Sequence, residues 1–118
     1  METITKTANE LRRGLLAERV ARGVALFDRE MPGWWRADRK PSAINTDRLD
    51  MGEGGWCVFG QLENPGTECA YTDMAVRILG PDWLFREQEY GVYSDHSRDY
   101  PILTDLWREV IEKRRADA

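Results

Sequence analysis

Apolar residues recur at helical intervals in the first third of the chain. Leu16, Val20, Val24, Phe27 and Met31 are four, four, three and four positions apart, which stacks them on one face of a helix. Asn9 is a preferred N-cap type and Pro32-Gly33 is a strong stop, so the pattern predicts a helix over 9–31. Gly14 and Gly23 each weaken that helix by about 1 kcal/mol relative to Ala, so tertiary packing has to hold it. A second stripe, Leu103, Leu106, Trp107, Val110 and Ile111, predicts a helix over 99–115. Asp99 stands where a cap belongs, and Pro101 is tolerated in the first turn. Glu109–Lys113 is a favourable i,i+4 pair, and Lys113, Arg114 and Arg115 complement the helix C-terminus. A shorter helix over 67–79 follows from Thr67 as cap, from Tyr71, Met74, Ala75, Ile78 and Leu79 at three-and-four spacing, and from the Gly80-Pro81 stop.

The segments between are less regular. Trp34-Trp35 follow the first stop, and Arg36, Asp38, Arg39, Lys40 and Pro41 read as exposed loop. Thr46 is a cap type that suits the start of a short helix ending at the Gly52–Gly55 cluster. Trp56-Cys57-Val58-Phe59 fits a buried strand or a buried helical turn equally well. Asn64-Pro65-Gly66 reads as a turn. Trp83-Leu84-Phe85 reads as one helical turn, and Tyr90 to Tyr93 has higher strand propensity. The expected fold is therefore mainly α: a small single-domain helical bundle of two long and one or two short helices, with a minor β-hairpin left open. Residues 1–8 are expected to be a flexible N-terminus and residues 9–116 one helical domain. The two long helices are expected to supply most of the core and to pack against the 67–79 helix, since each would be unstable alone.

Composition narrows the class. The 118 residues suit one core and leave no room for a second. Charged residues are 32% of the chain, but five Trp, four Tyr and three Phe carry too much burial potential for a disordered polymer. A net charge of −4 disfavours a generic nucleic-acid binder. No apolar run approaches the length of a membrane span. Met1 to Leu16 shows no uninterrupted apolar core and no small-residue cleavage site, so no signal peptide is expected. Two cysteines, Cys57 and Cys69, are too few for a disulfide framework of the small secreted kind. The expectation is a cytoplasmic protein with both thiols reduced.

The candidate chemistry is thin. Cys57, Cys69 and the only histidine, His96, are far apart in sequence, where zinc favours short-spaced ligand pairs, so no metal is expected. Cys57 and His96 form a nucleophilic pair only if the fold brings them together, with Asp95 available to orient the ring. Asp47, Asp50 and Glu53 lack the alternating spacing of a calcium loop. Gly52-Glu53-Gly54-Gly55 lacks the Lys-Ser/Thr of a phosphate loop. Arg12, Arg19, Arg22 and Arg29 line the side of the first helix opposite its apolar stripe, where they suit a phosphate backbone or, interrupted by Glu18 and Glu30, an ordinary solvated face. Trp34 and Trp35 are adjacent just past a helix end. Neighbouring residues of a regular element cannot both face one core, so one ring is a candidate exposed anchor, unless an irregular loop buries both. With Arg36 and Arg39 beside them, Trp34 and Trp35 form the candidate partner-binding surface. No catalytic, cofactor-binding or metal-binding residue is assigned, and no cofactor is expected.

Several short motifs carry a resemblance. They are Arg19-Val20-Ala21-Arg22-Gly23 leading to Pro32-Gly33-Trp34, then Leu49-Asp50-Met51, then Cys57-Val58-Phe59-Gly60-Gln61-Leu62. Asp99-Tyr100, Leu103-Thr104, Trp107 and Arg114-Arg115 complete the set. Over residues 19–115 the chain resembles a family of small uncharacterised proteins of actinobacterial bacteriophages and prophages. It departs from that pattern after Gln61-Leu62, where Glu63-Asn64-Pro65 stands in place of an aromatic or glycine-rich continuation. The resemblance implies a phage accessory protein of the infected cell's cytosol and assigns no activity to any residue. The leading expectation is a non-enzymatic protein that binds a host or phage protein, as in host takeover or anti-defence, with homo-oligomers left open. The alternative is a nucleic-acid-associated regulator using the arginine face of the first helix. An enzyme using Cys57 or His96 is the third.

Overall fold

The periodic segments become helices wherever an apolar stripe has something to cover it. The computed structural model describes residues 7–67 and 69–118, and the first six positions of the expected flexible N-terminus lie outside the described residues. Among the described residues there are five helices and no strand: α1 (Ala8–Glu30), α2 (Val58–Glu63), α3 (Ala70–Leu79), α4 (Trp83–Arg86) and α5 (Asp99–Asp117). Helix α1 packs along α5, α2 against α3, and α3 against α4. None of these helices is long and apolar enough to cross a membrane.

The long helices match their predicted extents within two residues, but their caps differ. Thr7, not Asn9, caps α1, its Oγ1 accepting from the Glu10 N–H at 3.2 Å. Asp99 is not the cap of α5. It lies in the first turn and is fully buried, with its carboxylate on the Arg12 guanidinium of α1. Helix α3 begins at Ala70 rather than at Thr67. The Thr46–Leu49 segment makes a turn and no helix, and Tyr90–Tyr93 lies in turn and irregular backbone, so no hairpin forms there.

The ambiguous apolar run resolves into the start of α2. Cys57 caps it, its Sγ accepting from the Gly60 N–H at 3.3 Å, while Val58 and Phe59 enter the core. Gly60 allows this approach: a Cβ there would stand 2.0 Å from the Gly54 carbonyl oxygen. Gln61 on the same helix is buried and fully used. Its Oε1 accepts from Asn45 N at 2.7 Å, and its Nε2 donates to the carbonyls of Asn45 and Trp56. A buried amide satisfied in this way holds the loop before α2 against the bundle.

The long helices do not supply the core alone. Phe27 of α1 stacks on Phe59 of α2 and on Trp107 of α5, with centroids 5.1 Å apart in both pairs. Trp34 closes the cluster edge-on to Phe27 and Trp107, at 5.2 and 5.7 Å. Ile44, Leu49 and Met51 from the irregular segment are buried in the same core. That segment folds by turns, so it carries no period to read, yet it contributes to one continuous apolar cluster.

Candidate functional site

The loop after α1 divides the four residues of the predicted partner surface. Trp34 is fully buried, and its indole N–H donates to Asp28 Oδ1 at 3.0 Å. It therefore presents no surface, which corrects its assignment as a binding residue. The turn bonds Trp34 N to Met31 O and Arg36 N to Gly33 O bend the chain, so that adjacent rings need not obey helix or strand alternation. Trp35 is half-buried, with Arg36 over its ring at 5.7 Å. Arg36 also pairs with Asp38 at 3.1 Å. The Arg39 guanidinium turns inward, donating to the Ser42 and Leu62 carbonyls at 2.7 and 3.3 Å. Only Trp35 and Arg36 remain together at the surface, beside Arg115 in a shallow depression of about 200 Å³. Trp35→Ala is expected to lower the unfolding free energy by about 1 to 2 kcal/mol, the order for a partly buried large apolar side chain. Urea unfolding checks it.

Three of the four arginines of the predicted α1 face are engaged within the fold, while Arg19 has a buried Nη1 with no hydrogen-bond partner among the described residues. Arg12 pairs with Asp99, Arg13 with Glu109 at 2.9 Å, and Arg29 with Glu30 at 3.2 Å, while Arg22 donates to the Glu89 carbonyl. A phosphate backbone would have to compete for those guanidinium groups. Cys57 is buried, its thiol pushed up to about 11 chiefly by that burial, so it is a thiol and a helix cap at neutral pH. His96 is exposed and borders a different depression, with Arg12 and Arg98. Cys69 is exposed. Among the described residues no three His, Cys, Asp or Glu side chains converge as a metal site would require.

The structure assembles a different concave site between α3, α4 and the start of α5. Gly80 (φ 87°) and Pro81 end α3, and α4 follows as a single turn. Arg86 clamps that turn to α3, donating to the Leu79 carbonyl at 2.6 Å and to Tyr90 Oη at 3.0 Å. The chain then passes Gly91 (φ 69°), where a Cβ would stand 2.9 Å from Val20 N, and the Gly91 carbonyl accepts from the Trp107 indole at 2.9 Å. Both glycine and clamp pin the segment to the core, and Glu87 between them is left 5% exposed.

Glu87 lines a cavity of about 360 Å³. Two aromatic pairs line it with Glu87. Tyr71 of α3 meets Trp83 of α4 edge-on at 6.4 Å, and Tyr93 meets Tyr100 of α5 at 6.4 Å. Met51, Val92 and Leu84 add aliphatic surface. Tyr71 Oη donates to Glu87 Oε2 at 2.7 Å. Among the described residues no other side chain bonds the Glu87 carboxylate, and no Lys, Arg or His lines the cavity. Burial pushes the Glu87 carboxyl above the ordinary carboxylate range and the negative charge of Asp95 adds to it, while the Tyr71 hydrogen bond pulls the other way. Burial and the adjoining carboxylate likewise push the Tyr71 hydroxyl up, which keeps it a donor. Tyr100 Oη is fixed by the Ser94 backbone, donating to its carbonyl at 2.8 Å and accepting from its N–H at 3.2 Å.

Leu84 lines this site and is 64% exposed, and Phe85, next to it on α4, is 88% exposed. A one-turn helix has only a narrow inward face. Trp83 turns partly inward, and the next two side chains project into solvent.

Sequence reasoning missed this site for identifiable reasons. Arg86-Glu87-Gln88-Glu89 reads as a solvated polar run, and nothing local marks the second residue as buried. Tyr71, Trp83, Tyr93 and Tyr100 are spread over thirty positions and meet only in three dimensions. The available signal was the local density of aromatics from Trp83 to Tyr100.

No protein-family model, curated protein or solved structure matches this chain.

Proposed function

We propose that this protein acts by binding another protein through the mouth of the Glu87 cavity, with α4 as the contact element. The observation that carries the reading is exposed Leu84 on the wall of a concave aromatic site, with exposed Phe85 next to it on α4. Two adjacent large apolar side chains held in water, one of them on a cavity wall, are unfavourable in the free chain and suit an interface. Cys57 also lines the cavity, but its buried thiol caps α2, which supports binding over thiol chemistry. The engagement of Arg12, Arg13 and Arg22 within the fold supports a protein partner over nucleic acid. On the resemblance to actinobacterial phage proteins, the partner would be a host or phage protein met in the cytosol of an infected cell. The helices would form a single-domain bundle that presents this one surface.

Phe85→Ser is expected to leave the unfolding free energy within about 0.5 kcal/mol of wild type, as for an exposed position. The same change is expected to remove the partner recovered by affinity purification from infected cells, while Trp35→Ala retains it. If Trp35→Ala loses the partner and Phe85→Ser keeps it, the interface lies after α1 instead. If the recovered partner is nucleic acid, released steeply by salt, the protein-binding reading fails.

A further inference from the structure

We infer that the Glu87 cavity receives a basic side chain, arginine or lysine, of the protein partner. The inference rests on the protein-binding reading and names the chemistry of the inserted group. Glu87 is a carboxylic acid 5% exposed that lines the cavity: one oxygen is held by Tyr71, no other side chain of the described residues bonds the second, and no basic residue among them lines the cavity. An apolar occupant would seal that oxygen away from water without a partner, and burying a polar group in that way is costly. An acidic occupant would face Glu87, whose environment already includes the negative charge of Asp95. A guanidinium or ammonium supplies the missing donors and a compensating charge at hydrogen-bonding distance.

The walls suit the same occupant. Tyr71, Trp83, Tyr93 and Tyr100 line the space with aromatic surface, and a cation gains from lying over a ring face within about 6 Å. Their ring edges and the aliphatic Met51 and Val92 suit the methylene stem of Arg or Lys, which packs along apolar surface behind its charged head. A cavity of about 360 Å³ has the size of a small-molecule site and admits a long side chain. Leu84, on the cavity wall, then contacts a residue flanking the inserted one.

The probe is N-acetyl-arginine amide, titrated into the full chain and followed by NMR, with N-acetyl-citrulline amide as its neutral near-isostere. The arginine probe is expected to move the Trp83 indole and the Met51 methyl signals saturably, and citrulline at least about tenfold more weakly, since it lacks the charge. Glu87→Gln keeps an acceptor for Tyr71 and is expected to weaken the arginine probe by about tenfold or more. If Glu87→Gln fails to fold, Tyr93→Leu serves in its place by removing one ring and leaving the carboxylate. Equal binding of the two probes, shifts centred away from the cavity, or no saturable shift overturns the inference. The readouts separate the two proposals. A silent arginine titration with Phe85→Ser still losing the partner rejects the basic side chain alone, whereas saturable arginine binding with a Phe85→Ser protein that keeps its partner rejects the interface.

Discussion

Trp107→Ala is expected to lower the unfolding free energy by about 3 to 5 kcal/mol, the range for truncating a buried Trp to Ala. Total stability for a domain of this size lies in the range of about 5 to 15 kcal/mol, so the variant should be close to unfolding at physiological temperature. Three observations place the effect at the upper end. Trp107 is fully buried and lies between the Phe27 face and the Trp34 edge, so deletion opens a cavity bordered by rings that cannot easily collapse into it. Its indole N–H is the donor to the buried Gly91 carbonyl, which would lose its partner. Gly23 of α1 lies against the same ring: a Cβ there would stand 2.9 Å from Trp107 Cζ2, so the closeness of α1 and α5 is set by this contact. Chemical denaturation followed by far-UV circular dichroism measures the loss. A value under about 1 kcal/mol would show that the aromatic cluster repacks around the gap and that Trp107 does not hold the helices together.

How far the fold could be read in advance depended on the length and regularity of each element. The α1 and α5 stripes predict helices that the structure bears out, because an amphipathic period sustained over several turns has few other solutions. Even there the buried face is rotated from the one predicted. Leu26 and Gly23 are buried while Val24 and Met31 are only partly so, since the Trp107 ring and the Tyr90 carbonyl fit where Gly23 has no side chain. Helix α2 was not separable from a strand, because its six residues are too few to show a period. Trp34 and Trp35 show the limit for loops. Alternation arguments apply to regular elements, and successive turns take one ring into the core and leave the other at its edge. The cavity was less legible than the fold. Its defining residue, Glu87, is buried by the Arg86 clamp, a side-chain contact that leaves no periodic signal, and by the close approach of Gly91 to α1, a long-range one.

Asp99 shows the same limit on a single side chain, and it carries the second large expected effect. Aspartate ahead of an apolar stripe suggests a helix cap exposed to water. Here it is fully buried, with Oδ1 accepting from Arg12 Nε at 2.9 Å, Oδ2 from Arg12 Nη2, and Ser94 Oγ donating to Oδ2. The Arg12 guanidinium, with help from Ser94, outweighs the cost of burial and holds the carboxyl down at about 2, below its ordinary 3.8. Asp99→Asn removes the charge and strands a partly buried guanidinium. The expected cost is about 3 kcal/mol at pH 7, the low end for breaking a buried pair, because the Arg12 side chain keeps 31% of its solvent exposure. The sign with pH follows from the lowered value. An acid that is stronger in the folded state stabilises the fold above its unfolded pKa and loses that contribution as pH falls through the folded one. The separation between 3.8 and about 2 corresponds to about 2 kcal/mol, so the gap between wild type and Asp99→Asn should narrow by that amount between pH 7 and pH 2. Glu87 runs the other way. Its folded value is raised, so its contribution is present below its unfolded pKa and lost as pH rises through the folded value. An Asp99→Asn and Glu87→Gln pair measured by urea unfolding at both pH values therefore separates the two carboxyls. A gap for Asp99→Asn that stays constant from pH 7 to pH 2 would mean that Asp99 acts by shape and neutral hydrogen bonding, and not as the anion that ties α5 to α1.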